Sequence, residues 1–338
     1  RLAAVREEIE KLLARSDELS LALAPGLAGA LKLVEGIVPN GTELLLYTVM
    51  RHAGRNQMEH AALVCLLALS MGQLTGMETQ ARRNLARAAL LHDVGEFYLP
   101  PRLFMPGDRR TTAEIQEIRR HALIGAQVAV ELAKLPTEVG QHIASSHERL
   151  DGSGYPFGRR LKKLEPGAQA LSFAEAMAPL LGSGSDRLRR AAVASRIGRG
   201  EFAAPMTNWL NRCASVRTVT GTVPVTDVDA GLRRVTDLLT RVQAVLHEQA
   251  PVATTAAEGP AAARWLAIVE GLILVLSSAG VSASVQLNLP IEPSDATEAV
   301  ELAVLRRELD YRVGDLRLRV ELECIEAPAL ASEPWIAE

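Results

Sequence analysis

Aromatic side chains are scarce in this 338-residue chain: 5 Phe, 3 Trp and 4 Tyr, 4% of the total. A core so poor in rings must be built from Leu, Ala, Val and Ile, which favours helices. Cysteine is scarcer still. Cys65, Cys213 and Cys324 lie far apart, are odd in number and form no CxxC pair. Neither a disulfide framework nor a thiolate zinc site is indicated, and a reducing, cytoplasmic setting is the expectation. An excess of one charge is also missing. With 37 Lys+Arg against 40 Asp+Glu, the formal charge is −3, which leaves no electrostatic footprint for a nucleic-acid polymer. A long apolar run is missing too. The most apolar stretch, Trp265 to Gly280, is short for a membrane span and carries Glu270, so a buried helix is expected there. The chain begins at Arg1 rather than Met, as a piece of a longer protein would. What remains is ordinary globular usage, 48% apolar and 23% charged, which excludes a wholly disordered chain. The length allows about two domains.

Apolar periodicity divides the chain. Leu2, Val5, Ile9 and Leu12 form a helical seam that Leu19 resumes, predicting one helix to about residue 23. That seam suits either packing on its own domain or a short coiled coil. Pro25, Gly26 and Gly29 are expected to interrupt it, and Pro39-Asn40-Gly41 reads as a turn. Helical spacing then runs through 58–74, 82–92, 113–134 and 137–147. Pro100-Pro101 with Pro106-Gly107 breaks it once. Asp151 to Pro156 breaks it again, a stretch too rich in Gly and Pro to be anything but a loop.

Beyond Cys213 the pattern changes. Val281, Ala283, Val285, Leu287 and Leu289 alternate with polar residues, as do Leu316, Leu318, Val320, Leu322 and Cys324. Alternation over about nine residues predicts two half-buried strands. Asp295 with Glu298 reads as a capping box opening a helix to about Leu309. Gly314-Asp315 reads as a hairpin turn, and 251–262 as a linker before a helix over 261–280. The expected architecture is mainly α: a helical bundle with an N-terminal helix and a smaller C-terminal α/β or α+β module. The expected segments are 1–46, 47–212, 213–262 and 263–338, the last suited to dimerisation or partner docking.

The chemistry-bearing residues lie in the bundle. An apolar helix ends in Ala-Leu-Leu-His92-Asp93-Val-Gly95. Near a helix end both His92 and Asp93 can reach one metal centre, the carboxylate bridging two ions. His60, His121 and His147 sit on other predicted helices. Four histidines and one carboxylate, each from a separate stretch, can converge in a bundle core. Such donors suit Fe, Mn, Zn or Ni rather than Mg or Ca. His52, His142 and His247 are read as structural or solvated.

The order His60, His92-Asp93-Val-Gly95, Met105-Pro106-Gly107, His121-Ala-Leu-Ile-Gly125 and Ser146-His147-Glu148-Arg149-Leu-Asp151-Gly-Ser-Gly154-Tyr155-Pro156 resembles the HD-GYP subgroup of the HD superfamily. Gly200 to Pro205 resembles the segment that closes that domain. The resemblance covers residues 57 to 210. It implies an HD-type helical bundle and two transition-metal ions, Fe or Mn first, with Zn or Ni also suited. It implies metal-assisted hydrolysis of cyclic di-GMP to linear pGpG or GMP. Carried over position by position, His60, His92, Asp93, His121 and His147 match metal ligands, and Asp93 and Glu96 stand at catalytic positions. Arg149, Gly154, Tyr155 and Pro156 match the nucleotide pocket. Four departures stand out. Ser146 replaces the first of two consecutive histidines. Glu96 replaces a lysine and puts a negative charge where a phosphate should lie. Glu175 replaces an aspartate ligand, and Ala178 a second aspartate. These departures keep a second reading open, a degenerate signalling module that binds nucleotide or partners such as diguanylate cyclases. A homodimer fits either reading.

Overall fold

A computed structural model describes residues 3–14, 18–53, 55–105, 110–158, 164–182, 187–198, 200–214, 226–249, 258–279, 281–286, 291, 293 and 295–326. The chain divides into two compact units, Arg1–Val216 and Arg217–Glu338. Among the described residues every regular element is a helix and there is no β-strand. No helix among them is long and apolar enough to cross a membrane.

The first unit contains α1 (Ala3–Ala14), α2 (Glu18–Glu35), α3 (Gly41–Ala53), α4 (Arg55–Leu74), α5 (Thr79–Leu91), α6 (Thr112–Arg119), α7 (His121–Gln127), α8 (Thr137–Ala144), α9 (Pro166–Leu181), α10 (Arg187–Ile197) and α11 (Ala204–Ala214). At its centre is α4, whose residues Ala61 to Leu69 are all buried. A helix apolar on every side is stable only when surrounded, and α4 packs against α1, α2, α3, α5, α9 and α11. Start signals in the sequence set several helices. Asn40 accepts the Glu43 N–H at 2.9 Å and opens α3. Thr111 and Glu114 form a reciprocal capping box at α6, and Pro166 stands in the first turn of α9.

The N-terminal expectation needs correction. Two helices occupy the region expected to hold one, and α2 runs through Pro25, Gly26 and Gly29. Leu19, Leu23, Leu33 and Val34 are buried on its inner side, and that packing outweighs the hydrogen bond lost at Pro25. The seam of Val5, Ile9 and Leu12 is buried within its own unit, where α1 packs on α2 and α4. The helical pattern over 113–134 is also divided, ending α6 at Arg119 and restarting at His121.

The second unit contains α12 (Thr226–Gln249), α13 (Glu258–Ser278), α14 (Val281–Gln286) and α15 (Ala296–Glu326). Both expected strands are overturned: residues 281–286 are α14, 316–324 lie inside α15, and 287–289 fall outside the described residues. The C-terminal module is therefore helical, not α/β or α+β. The physical reason is that the alternating run continues a helical one. Leu302, Leu305, Leu309 and Leu316 are buried at helical spacing, and the run is rich in Leu, Arg and Glu, which prefer helix. The expected hairpin at Gly314-Asp315 is likewise helix, whereas Asp295 does open α15, accepting the Glu298 N–H at 2.8 Å. Of the expected linker, 258–262 belong to α13 and 251–257 lie outside the described residues.

Candidate metal centre

Six of the singled-out side chains meet in the first unit. His60 comes from α4 and Glu175 from α9. His92 caps the C-terminus of α5 and Asp93 follows it, opening a 3-10 turn over Val94–Tyr98. His121 is the first residue of α7, and His147 lies just beyond α8.

One carboxylate joins two groups of donors. Asp93 Oδ2 lies 3.1 Å from His92 Nε2 and 3.7 Å from His60 Nε2. Asp93 Oδ1 lies 3.8 Å from His121 Nε2, whose other neighbour is His147 Nε2 at 3.0 Å. Glu175 Oε2 completes the first group, 2.9 Å from His92 Nε2 and 3.0 Å from His60 Nε2. Donors bound tetrahedrally at about 2.0 Å from one ion stand roughly 3.3 Å apart, and these separations bracket that value.

Two of the rings are held through Nδ1. His92 Nδ1 and His121 Nδ1 each lie 2.8 Å from a backbone carbonyl, of Ala89 and Ile118 respectively. With the Nδ1–H donating there, each Nε2 lone pair faces the cluster, the usual support of a ligating histidine. His92 is fully buried, and its Nε2 makes no aligned hydrogen bond despite two carboxylate oxygens nearby. A buried polar atom left so is costly unless something else binds it. His60, His92 and Asp93 form one group that fits a transition-metal ion, and Asp93, His121 and His147 another, with Glu175 Oε2 beside the two rings of the first.

The protein's own charges are also arranged around the cluster. Burial drives His147 down to about 3, so its ring is neutral. Burial would lower His92 as well, but Asp93 and Glu175 outweigh it and raise the ring well above the ordinary range. Burial would raise the carboxyls of Asp93 and Glu175, and the adjacent histidines hold both below the ordinary range. Glu96, on the 3-10 turn, moves the other way. Burial first, and the Asp93 charge second, push it up to about 7. Glu96 is therefore not a fixed anion at neutral pH in the metal-free protein. Gln57 Nε2 donates to its Oε2 at 3.4 Å.

Two glycines fix the positions of the donor side chains. A Cβ on Gly95 would stand 2.0 Å from the His121 carbonyl oxygen, and one on Gly154 would stand 2.4–2.5 Å from backbone atoms of His147, Glu148 and Arg149. Only glycine permits either approach. The first brings the turn after Asp93 against α7. The second brings the loop back on His147, where Tyr155 N–H donates to the His147 carbonyl at 3.1 Å. The Tyr155 ring then stacks on the His147 ring, 4.6 Å between centroids at 10°, with Pro156 next in the chain. Glu148 fastens the far end of the loop, its Oε1 accepting the Phe157 N–H at 2.6 Å.

Arg149 does not join this convergence. Its guanidinium donates to the Glu148 carbonyl and the Ser172 hydroxyl, both at 2.9 Å, and lies 4.9 Å from the Phe202 ring centroid. Ser146 is fully buried and its Oγ has no hydrogen bond. Ala178 is buried among apolar residues of α9. His52 and His247 are exposed, while His142 is buried and packs where a Cβ on Gly167 would stand. One residue was missed from sequence: Arg119, whose guanidinium lies 4.8 Å from the Tyr155 centroid. Its place two residues before His121 was the available signal.

Residues 46–198 match the family described as HD domain. Over 100 residues the chain is 34% identical to the cyclic di-GMP phosphodiesterase PA4108 of Pseudomonas aeruginosa, covering 29% of this chain and 24% of that one. Over 106 residues it is 29% identical to a cyclic di-GMP phosphodiesterase of Thermotoga maritima, covering 31% and 29%. Over 115 residues it is 24% identical to the 3'3'-cGAMP-specific phosphodiesterase 1 of Vibrio cholerae, covering 34% and 26%. The matched stretch thus spans between 24% and 29% of these curated relatives.

Proposed function

We propose, from the premise that residues 46–198 are a divergent HD domain of the HD-GYP group, that this chain hydrolyses a phosphodiester bond of a cyclic dinucleotide, cyclic di-GMP first. The observation that carries the reading is the Asp93 carboxylate, one oxygen toward His60 and His92 and the other toward His121. In this reading His60, His92, Asp93 and Glu175 hold one ion, and Asp93, His121 and His147 a second. Fe or Mn is favoured, and Zn or Ni also suits the donors. Such ions, when bound, polarise a phosphoryl oxygen and lower the pKa of water.

The chain's own groups supply the rest. Neutral His147 keeps a lone pair for ligation, and Tyr155 stacked on it forms a wall against which a nucleotide can rest. Arg119 at the Tyr155 ring brings a cation beside the wall that Tyr155 forms on His147. Glu96 Oε2 accepts from Gln57 Nε2, which ties the turn after Asp93 to α4.

The test is direct. Protein loaded with Mn(II) is incubated with cyclic di-GMP, and in parallel with 3'3'-cGAMP, and products are resolved by chromatography. Appearance of pGpG or GMP supports the reading. Protein holding two ions that cleaves neither substrate overturns it. Ser146 and Glu96 favour the alternative, a module that binds nucleotide or diguanylate cyclase-type partners without turnover. In that case calorimetry detects nucleotide affinity with no product.

A further inference from the structure

We infer that the two halves of this centre hold metal unequally: the half built from His60, His92, Asp93 and Glu175 keeps its ion, while the half built from Asp93, His121 and His147 exchanges its ion with free metal. The inference rests on the metal-centre reading above and goes beyond it, because it makes supply of the second ion a control on the site.

The donors themselves are unequal. The first half has four, with separations of 2.9–3.7 Å. A single atom, Glu175 Oε2, lies close to both histidines there. The second half has three, at 3.0 and 3.8 Å. Charge is unequal as well: two carboxylates serve the first half, and the second has only its share of Asp93. Buried Ser146, beside His147 in the chain, brings a neutral hydroxyl with no hydrogen bond and so adds no charge. Metal affinity rises with the number and charge of the donors. Whichever ion binds first draws on the Asp93 charge and then repels a second cation about 3.5–4 Å away. The four-donor half therefore fills first, and the three-donor half follows at higher free metal. Loss of even an outer supporting group commonly weakens a site about 10–100-fold, so a missing donor should separate the two affinities by at least that lower bound of about tenfold.

Chelator-stripped protein titrated with Mn(II) tests this without reference to activity. The expected result is one ion per chain retained through gel filtration in metal-free buffer, and a second bound at least about tenfold more weakly. Electron paramagnetic resonance should show an isolated Mn(II) signal at one equivalent and a spin-coupled signal only beyond it. His147→Gln should abolish the weak class and leave the retained ion, whereas Glu175→Gln should loosen the retained ion. Circular dichroism of each variant checks its fold, and the wild-type titration decides the matter if a variant fails to fold. Two ions retained equally, or a folded His147→Gln that loses the retained ion, overturns the inequality while leaving the metal centre standing. Protein that binds no Mn(II) overturns both.

Discussion

The two units are built from the same kind of element and use it for different ends. In the first, His92 and His121 stand at helix ends, and glycines stand where backbones nearly touch: Gly95 on the His121 carbonyl, Gly154 on the backbone of His147 to Arg149. In the second, the tight glycine, Gly231, meets a side chain rather than backbone, an added Cβ standing 2.2 Å from Arg306 Nε, while Gly271 and Gly314 have open space, and the helices meet through apolar seams such as Leu232, Val235, Leu239 and Leu246. Both groups of convergent metal donors among the described residues belong to the first unit. The contrast teaches that helix content says nothing of function. What marks the working unit is backbone forced into contact and polar atoms buried together.

The sharpest way to break this comparison is Gly95→Val. Its Cβ would meet backbone, which cannot swing aside as a side chain can. Overpacking of this kind costs about 1–3 kcal/mol or more, and with a 2.0 Å approach to a carbonyl oxygen the expected loss lies above that range. Denaturant unfolding should show it, and Mn(II) uptake should fall because His121 is displaced. A variant of unchanged stability would mean that α7 does not sit on the turn after Asp93. Gly154→Val carries a similar lesson. Its loop contains none of the donors, yet the contact with the His147 carbonyl makes loss of metal the expected outcome.

Metal removal sharpens the comparison next. Ligand binding to the native state stabilises by about 2.7 kcal/mol when free metal is 100 times Kd. Hydrogen exchange read peptide by peptide should then show chelator loosening α4, α5, α7 and α9, while α12, α13 and α15 exchange as before. Equal loosening of both units would show that the centre is not confined to the first.

Glu96 gives a pH-dependent test on chelator-treated protein. Its carboxyl is raised to about 7 from a reference of 4.5, so the folded protein holds a proton that the unfolded chain releases. The associated stability is complete below 4.5 and is lost as pH rises through about 7. Glu96→Gln mimics the protonated form. It should match wild type at the acid end and exceed it at pH 8 by about 2 kcal/mol, after a discount for residual solvent contact. The variant-minus-wild-type difference isolates Glu96 from the buried His147, whose lowered pKa acts in the opposite sense. A difference that does not change with pH would show that Glu96 is an ordinary anion.

How legible all this was from sequence differed between the units for a physical reason. His60, His92, Asp93, His121, His147 and Glu175 could be named because each belongs to an ordered set of motifs. Their division into two groups about Asp93 is three-dimensional and could not be read from spacing. Arg119 escaped notice because its one signal, the place two residues before His121, does not show which ring it meets. Pro25 misled because propensity is local, whereas burial of Leu23, Leu33 and Val34 is not. In the second unit no motif intervened, and a short apolar alternation was read as strand. An apolar residue at every second position over nine residues also places some of them on one side of a helix, and a helix already running from Ala296 settles the matter.

The smallest expected effect tests that last point. Gly314 was read as a turn residue and lies within α15, exposed, with nothing within 4 Å of an added Cβ. A glycine inside a helix costs roughly 0.5–1 kcal/mol relative to alanine, because its unfolded backbone has more freedom to lose. Gly314→Ala should therefore stabilise the second unit by about that amount and leave Mn(II) binding in the first unit unchanged. In a hairpin the sign reverses, since a turn there would use the positive φ that alanine resists. Denaturant unfolding followed at Trp265, buried in α13, separates the two outcomes. A destabilised Gly314→Ala would restore the turn and with it the strands on either side.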